Sequence, residues 1–116
     1  MQDYHRIKAW EKAHQFVLVV YSATKKFPKE ELFGVTSQLR RASVSIPANI
    51  VEGSGRKTNA DFGRFVTISI GSTNEVEYYL LLARDLGYLI GSEHDLLRDR
   101  VIEIRKMLIS FLARLS

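Results

Sequence analysis

Three side chains in the sequence have the types and spacing for acid–base work. Asn49 and Glu52 stand three residues apart in RRASVSIPANIVEGSGRK (40–57), and Glu75 follows in ISIGSTNEVEYYL (68–80). Two carboxylates and an amide can move a proton and orient a substrate. No paired histidine, nucleophile elbow or metal-ligand spacing accompanies them, which weakens the enzymatic reading and leaves it as one alternative. The same residues also read as structure. Pro47 has no N–H to give the carbonyl of Ser43, and a proline inside a helix costs on the order of 3 kcal/mol unless its kink is used. Hydroxyls at Ser43 and Ser45 can satisfy freed backbone groups. Asn49 lies near the core-facing side, where an unpartnered amide costs roughly 1–3 kcal/mol. Ser69 and Ser72 offer partners, Gly71 offers close approach, and Glu75 follows Ser72 by one turn. The expectation is that Asn49 and Glu52 meet Ser72 and Glu75 across a kinked helix pair. Ser45, Pro47, Asn49, Glu52, Ser72 and Glu75 would then fix register, as a buried polar residue can.

A second chemistry is phosphate binding. EGSGRKT (52–58) fails the Walker pattern, because Arg56 rather than glycine precedes Lys57. It fails the dinucleotide fingerprint because Thr58 stands where the third glycine belongs. What remains is a basic turn before a helix N-terminus, a place where backbone donors can hold an anion. Arg40 and Arg41, with Arg56, Lys57, Lys25 and Lys26, are the candidate contacts to nucleic-acid phosphates, since such contacts need only positive groups within reach. Tyr4, His5 and Arg6 could add stacking. The formal charge is +4, with +5 in residues 1–60 and −1 in residues 61–116. A positive half raises the expectation of a polyanionic partner, RNA or DNA, but for so modest a charge a generally basic, solvated surface is the stronger reading. His5, His14 and His94 fall on separate segments, so no metal and no cofactor is expected.

The elements that must position these residues are helices. Ile7, Trp10, Ala13, Val17, Val20, Thr24 and Phe27 recur at spacings of three and four. That predicts a helix over 4–26, stopped by Pro28. PKEELFG is a turn, and a second helix over 32–53 carries Val35, Leu39, Ala42, Ile46 and Ile50. Thr58-Asn59-Ala60-Asp61 reads as a capping box. It opens a third helix over 58–86, whose seam is Phe62, Phe65, Ser69, Ser72, Val76, Tyr79, Ala83 and Leu86. Gly87 to Gly91 turns the chain, and a capping signal at Ser92 opens a fourth helix over 92–115 with Leu97, Val101, Ile104, Leu108, Phe111 and Leu115 inward. No run alternates long enough for a sheet, and short connections favour antiparallel neighbours. The expected architecture is all-α, a single domain over 1–116 forming an up-down-up-down four-helix bundle. Val66, Ile70 and Leu81 on the third helix, and Ile102, Ile109 and Leu112 on the fourth, exceed what one bundle must bury. Their excess predicts self-association.

With 116 residues a single core suffices without staples. The absence of cysteine removes disulfides, thiolate zinc sites and cysteine nucleophiles, and fits a cytoplasmic location. Met1 to Arg6 does not read as a leader, and the longest apolar run, Phe16 to Tyr21, is too short for a membrane span.

On these residues the chain resembles the four-helix-bundle family of the 23S ribosomal RNA intervening-sequence protein. The resemblance rests on WEKAHQFVLVVYSATKKFPKEE (10–31), GVTSQLRRASVSIPANIVEGSGR (34–56), Phe65 with ISIGSTNEVEYYL, and the LGYL turn (86–89), with RRASVSIPANIVEG as its most specific part. The chain is more distantly similar to the accessory protein of diversity-generating retroelements, a basic pentamer that binds nucleic acid and a reverse transcriptase. The resemblance implies a homo-oligomeric ring, with five as the expected number, and no established enzymatic activity. It places the family signature on Ser45, Ile46, Pro47, Asn49, Ile50, Glu52 and Gly53, then Gly71, Ser72 and Glu75. Ile70 departs from the alanine usual at that position. Three functions follow as expectations: a scaffold for RNA or DNA and a nucleic-acid enzyme, a protein-only assembly module, or an enzyme built on Asn49, Glu52 and Glu75.

Overall fold

The computed structural model describes Met1–Ser116. It contains four α-helices and no strand: α1 Lys8–Thr24, α2 Val35–Ser54, α3 Asn59–Asp85 and α4 Gly91–Leu115. The molecule measures 43 × 24 × 19 Å.

Two helices start later than their periodicity implies, and each has a local cause. Before α1, Asp3 accepts the backbone N–H of His5 at 3.1 Å and caps a short 3-10 turn, Tyr4–Arg6. Ile7 then takes an extended conformation that buries its side chain, so the α-helix begins only at Lys8. Before α2, Pro28 is extended and a second 3-10 turn covers Lys29–Glu31. The carboxylate of Glu31 accepts the N–H of Val35 and the hydroxyl of Tyr88, the latter at 2.8 Å, tying this turn to the α3–α4 connection.

The α3 start follows its capping signal, with Thr58 Oγ1 accepting the N–H of Asp61 at 3.1 Å. Its end is closed by Gly87, the one residue with positive φ, at 83°. Tyr88 N–H reaches back to the carbonyl of Ala83 at 2.8 Å and Gly87 N–H to that of Arg84 at 2.9 Å. This left-handed glycine cap satisfies carbonyls that the helix end would otherwise leave open. At α4 the cap position is Ile90, not Ser92; Glu93 accepts the Ile90 N–H at 3.1 Å, which is the returning half of a capping box.

Twenty-one apolar residues form one buried cluster. All five of the α2 stripe belong to it, as do Leu97, Val101, Ile104 and Leu108 of α4. Phe16, which the α1 stripe omitted, is buried as well. The α3 seam needs correction. Its buried positions are Phe62, Val66, Ser69, Ser72, Thr73, Val76, Leu80 and Ala83, while Phe65 and Tyr79 are half-buried and Leu86 is 49% exposed. Leu86 is the C-cap, beyond the last residue of the helix. Phe62, Val66, Ser69, Thr73, Val76, Leu80 and Ala83 step four and three, so α3 keeps a seven-residue repeat and the expected seam stood one residue out of phase at 65 and 79. Val66 is therefore core and not surplus surface. Leu81 and Ile109 do remain exposed.

The helices are unequally joined. α2 and α3 pack most closely, and α1 and α4 least. Gly53 explains part of the first: a Cβ there would lie 2.7 Å from Phe62 Cδ1 and 2.8 Å from Phe65 Cβ. Gly71, expected to supply this close approach, is exposed with open space where its Cβ would be.

Candidate nucleic-acid interface

The proline segment is a chain of small polar contacts. α2 continues through Pro47, which is buried. Asn49 Nδ2 donates to the carbonyl of Ser45 at 2.8 Å and to its hydroxyl at 3.0 Å, one turn earlier in the same helix. Ser72 on α3 donates to that same Ser45 hydroxyl at 2.8 Å, and Ser69 donates to the carbonyl of Ile46 at 2.9 Å. Ser45 thus bridges Asn49 to Ser72, and the half-buried amide is satisfied mainly within its own helix. The expected meeting of Glu52 with Glu75 does not occur. Glu52 is exposed and pairs with Arg56 at 3.3 Å, while Glu75 lies exposed on α3. The reason is reach: serine hydroxyls are short enough for closely packed helices, whereas a glutamate carboxylate keeps its hydration by pointing outward. Neither glutamate lines any of the five main surface depressions.

The six basic candidates divide between two ends of the molecule. Arg40 and Arg56 are sixteen residues apart on α2 and its cap, about 24 Å at 1.5 Å per residue. Arg40 is half-buried; its Nε donates to Thr24 Oγ1 at 2.8 Å and its guanidinium lies 4.6 Å from the Tyr21 ring centroid. Lys26 is hydrogen-bonded to Glu93. Arg41 and Lys25 are exposed. At the other end, Arg56 stacks 4.6 Å from the Phe65 ring and faces Asp61 at 3.8 Å, besides Glu52. Lys57 is exposed beside it. Arg64, one turn into α3 and absent from the sequence candidates, joins Arg56 and Lys57 around an open depression of about 600 Å³. Its guanidinium holds Asp61 at 2.7 Å.

The connections show which segments share this second end. Gln2 N–H donates to the carbonyl of Ser54 at 2.8 Å, so the start of the chain lies on the α2–α3 turn. One depression is lined jointly by the start of α3 and the end of α4, another by the start of α1 and the end of α4. Arg6, Lys8, Arg56, Lys57, Arg64, Lys106 and Arg114 therefore gather at one end of the molecule. Of the acids nearby, Asp3 is engaged with His5, Glu52 with Arg56 and Asp61 with Arg56 and Arg64, while exposed Glu11 in the first turn of α1 is in no ion pair.

At the opposite end Lys26 is paired with Glu93, while Lys25, Lys29 and Arg41 are exposed and in no ion pair. The carboxylates there include Glu93, held below its ordinary pKa by the Lys26 hydrogen bond and then by the Ile90 N–H. Asp95 is lowered by the hydrogen bond with buried His94, Nδ1 to Oδ1 2.9 Å. Tyr88 is raised by its bond to the Glu31 carboxylate, which disfavours the phenolate.

Sequence counting found the positive surplus in residues 1–60, but the surplus in space is at an end that borrows from both halves. A signal was present. After Glu103 the last turns of α4 carry Arg105, Lys106 and Arg114 with no acid, and Arg6 and Lys8 open the chain. Only the bundle's connectivity makes them neighbours.

The family model described as 23S rRNA-intervening sequence protein matches residues 5–110. The chain belongs to that family. A solved structure similar to this member of the 23S rRNA-intervening sequence family is a protein of unknown function from the S23 ribosomal protein family of Bacteroides thetaiotaomicron. It is 28% identical, aligns over 90% of this chain and 97% of its own, and superposes with a TM-score of 0.83. No curated protein matches. No helix of this family member is long and apolar enough to cross a membrane.

Proposed function

We propose that this protein is a non-enzymatic, cytoplasmic, homo-oligomeric scaffold that binds structured RNA or DNA at its basic end and presents it to a nucleic-acid enzyme. The observation that carries the reading is the gathering of Arg6, Lys8, Lys57, Lys106 and Arg114, exposed and outside every ion pair, where the start of the chain, the α2–α3 turn and the end of α4 meet. Unneutralised cations at one end attract a polyanion and orient it. An up-down-up-down arrangement supports this grouping: Gly53 sits against Phe62 and Phe65, while Ile46 and Ser45, earlier in α2, meet Ser69 and Ser72, later in α3. The test is affinity for a stem-loop RNA and a duplex DNA across a salt series. Log affinity should fall linearly with log salt, with a slope worth several phosphates. Absence of binding at low salt overturns the reading.

A specific observation favours the assembly module as a second reading. Phe33 is 91% exposed, and Leu32, Leu86, Ile90 and Leu96 are exposed around the other end. Large apolar side chains gathered at one surface suit an interface. A ring of five is the expected assembly. Light scattering on the purified chain should give a defined oligomer, and a clean monomer would remove both the ring and the module.

A further inference from the structure

We propose that nucleic-acid backbone phosphates bind in the groove between the start of α1 and the last turns of α4, held by Arg6, Lys8, Lys106 and Arg114. This site rests on the nucleic-acid reading above and gives it an address that the sequence candidates did not.

The groove has a volume of about 600 Å³, and no carboxylate lines it. All four cations are exposed, and none of them is in an ion pair. That sets it apart from the depression at the α2–α3 turn, where Asp61 sits among the cations and binds two of three. An arriving phosphate there must displace a carboxylate from Arg56 or Arg64; in the groove it displaces only water and counterions, whose release drives association.

Two further features suit a phosphate chain. The α1 N-terminus opens into the groove, and its cap residue, Ile7, offers no side-chain acceptor. Trp10 and Glu11 N–H donate to the Ile7 carbonyl, which leaves the Lys8 and Ala9 donors and the positive dipole end without a capping side chain, with exposed Glu11 in the same turn. On the other wall, Lys106 and Arg114 are eight residues apart on α4, about 12 Å at the helical rise, comparable with the axial rise of roughly three nucleotides of a duplex at about 3.4 Å each. Ser110 accepts from Arg114 at 3.0 Å and orients the guanidinium between them. Half-buried Met107 and Phe111 form an apolar floor on which a sugar or base face can lie.

The test measures binding of a stem-loop RNA, and of a single strand of the same composition, by the intact chain across a salt series. Lys106→Gln/Arg114→Gln should reduce the magnitude of the log–log slope by about two and weaken binding on the order of tenfold at moderate salt. Lys8→Gln should reduce the slope by about one. Helicity and oligomeric mass are checked for each variant; these side chains are exposed, and each single substitution serves where the double variant alters either. Lys26→Gln/Arg41→Gln, at the opposite end, should leave the slope unchanged. Tighter binding of the stem-loop assigns the groove to a helical backbone, and tighter binding of the strand assigns it to an unpaired one. If Arg56→Gln/Lys57→Gln abolishes binding and the groove variants do not weaken it, the groove is wrong and the nucleic-acid reading stands. If wild type binds neither RNA nor duplex DNA at low salt, both fall. If polyglutamate binds as tightly with the same variant pattern, the groove is an acidic-protein surface and the proposal is overturned.

Discussion

The α2–α3 seam and the α1–α4 seam close the same bundle by opposite means. Along α2–α3 the facing residues are small: Gly53, Ser45, Ser69 and Ser72, with Ile46 and Ile50 filling the remaining space. Helices there approach until a single added carbon at Gly53 would collide, and the hydroxyls of Ser69 and Ser72 donate to the Ile46 carbonyl and the Ser45 hydroxyl. Along α1–α4 long charged residues rim the contact, above buried Phe16 and Ile104. Lys12 reaches Glu103 at 3.7 Å, and Arg6, Lys8, Lys106 and Arg114 line the adjoining groove. Small polar residues allow dispersion contacts to accumulate at close range. Long charged ones keep their heads in water. One seam is closed by small residues at short range, and the other leaves its charged side chains in solvent.

That contrast can be broken or sharpened by substitution. The largest effect belongs to Ile46→Ala, which empties a fully buried site in the close seam. It should cost about 2–5 kcal/mol of unfolding free energy, measured by urea denaturation. Lys12→Ala in the open seam should change the same quantity by no more than about 0.5 kcal/mol. Equal losses would end the distinction between the seams.

Gly53→Ala comes next. Alanine gains in helix propensity, but its Cβ would press on Phe62 and on the Cβ of Phe65, and only one of these is a ring able to turn. The expected net cost is about 1–3 kcal/mol. Gly71→Ala, in open space, should instead be neutral or stabilising by about 1 kcal/mol. The pair is compared by thermal melting.

Ser45→Ala removes the oxygen shared by Asn49 and Ser72 and should cost about 1 kcal/mol. Combined with Ser72→Ala it should cost less than the sum of the two single changes, because both break the same bond. Strict additivity would show that the Ser45–Ser72 contact carries no energy.

The smallest effect is electrostatic and lies at the end away from the groove. Glu93 is held below its ordinary value of 4.5 by Lys26 and the Ile90 N–H. A depressed carboxylate contributes stability that is present above its unfolded pKa and lost as pH falls through the folded one. Glu93→Gln should therefore lower stability slightly at neutral pH and flatten the decline of stability below 4.5, read by urea midpoints across an acid series. An unchanged acid limb would remove the Lys26–Glu93 contact from the forces joining α1 to α4.

Much of the fold was legible because helical periodicity is a local property. Every apolar residue predicted for the α2 stripe is buried, and Thr58 caps α3 by the spacing that announced it. The misses have physical causes. Leu86 was placed inward by a seam set one residue out of phase and carried past the helix end, and the starts of α1 and α2 were displaced by 3-10 turns, one capped by Asp3 and the other tied to Val35 by Glu31, which act over a few residues without any periodic signal. Among the candidate site residues, Ser45 and Ser72 meet across the seam. Glu52 and Glu75 do not, since their polar character was visible but not the length limit imposed by a close seam.

By itself, the order of residues determined four amphipathic helices, their turns, the serine-rich character of one seam and a net positive charge. These are consequences of spacing and composition within a turn or two. Which cations are free and which are neutralised was decided only in the tertiary structure. Lys26 finds Glu93 sixty-seven residues away, and Arg6 and Lys8 find Lys106 and Arg114 across nearly the whole chain, because packing the helices side by side brings distant turns to a common end. Coulomb interaction depends on distance in space, and that distance exists only once the core has closed.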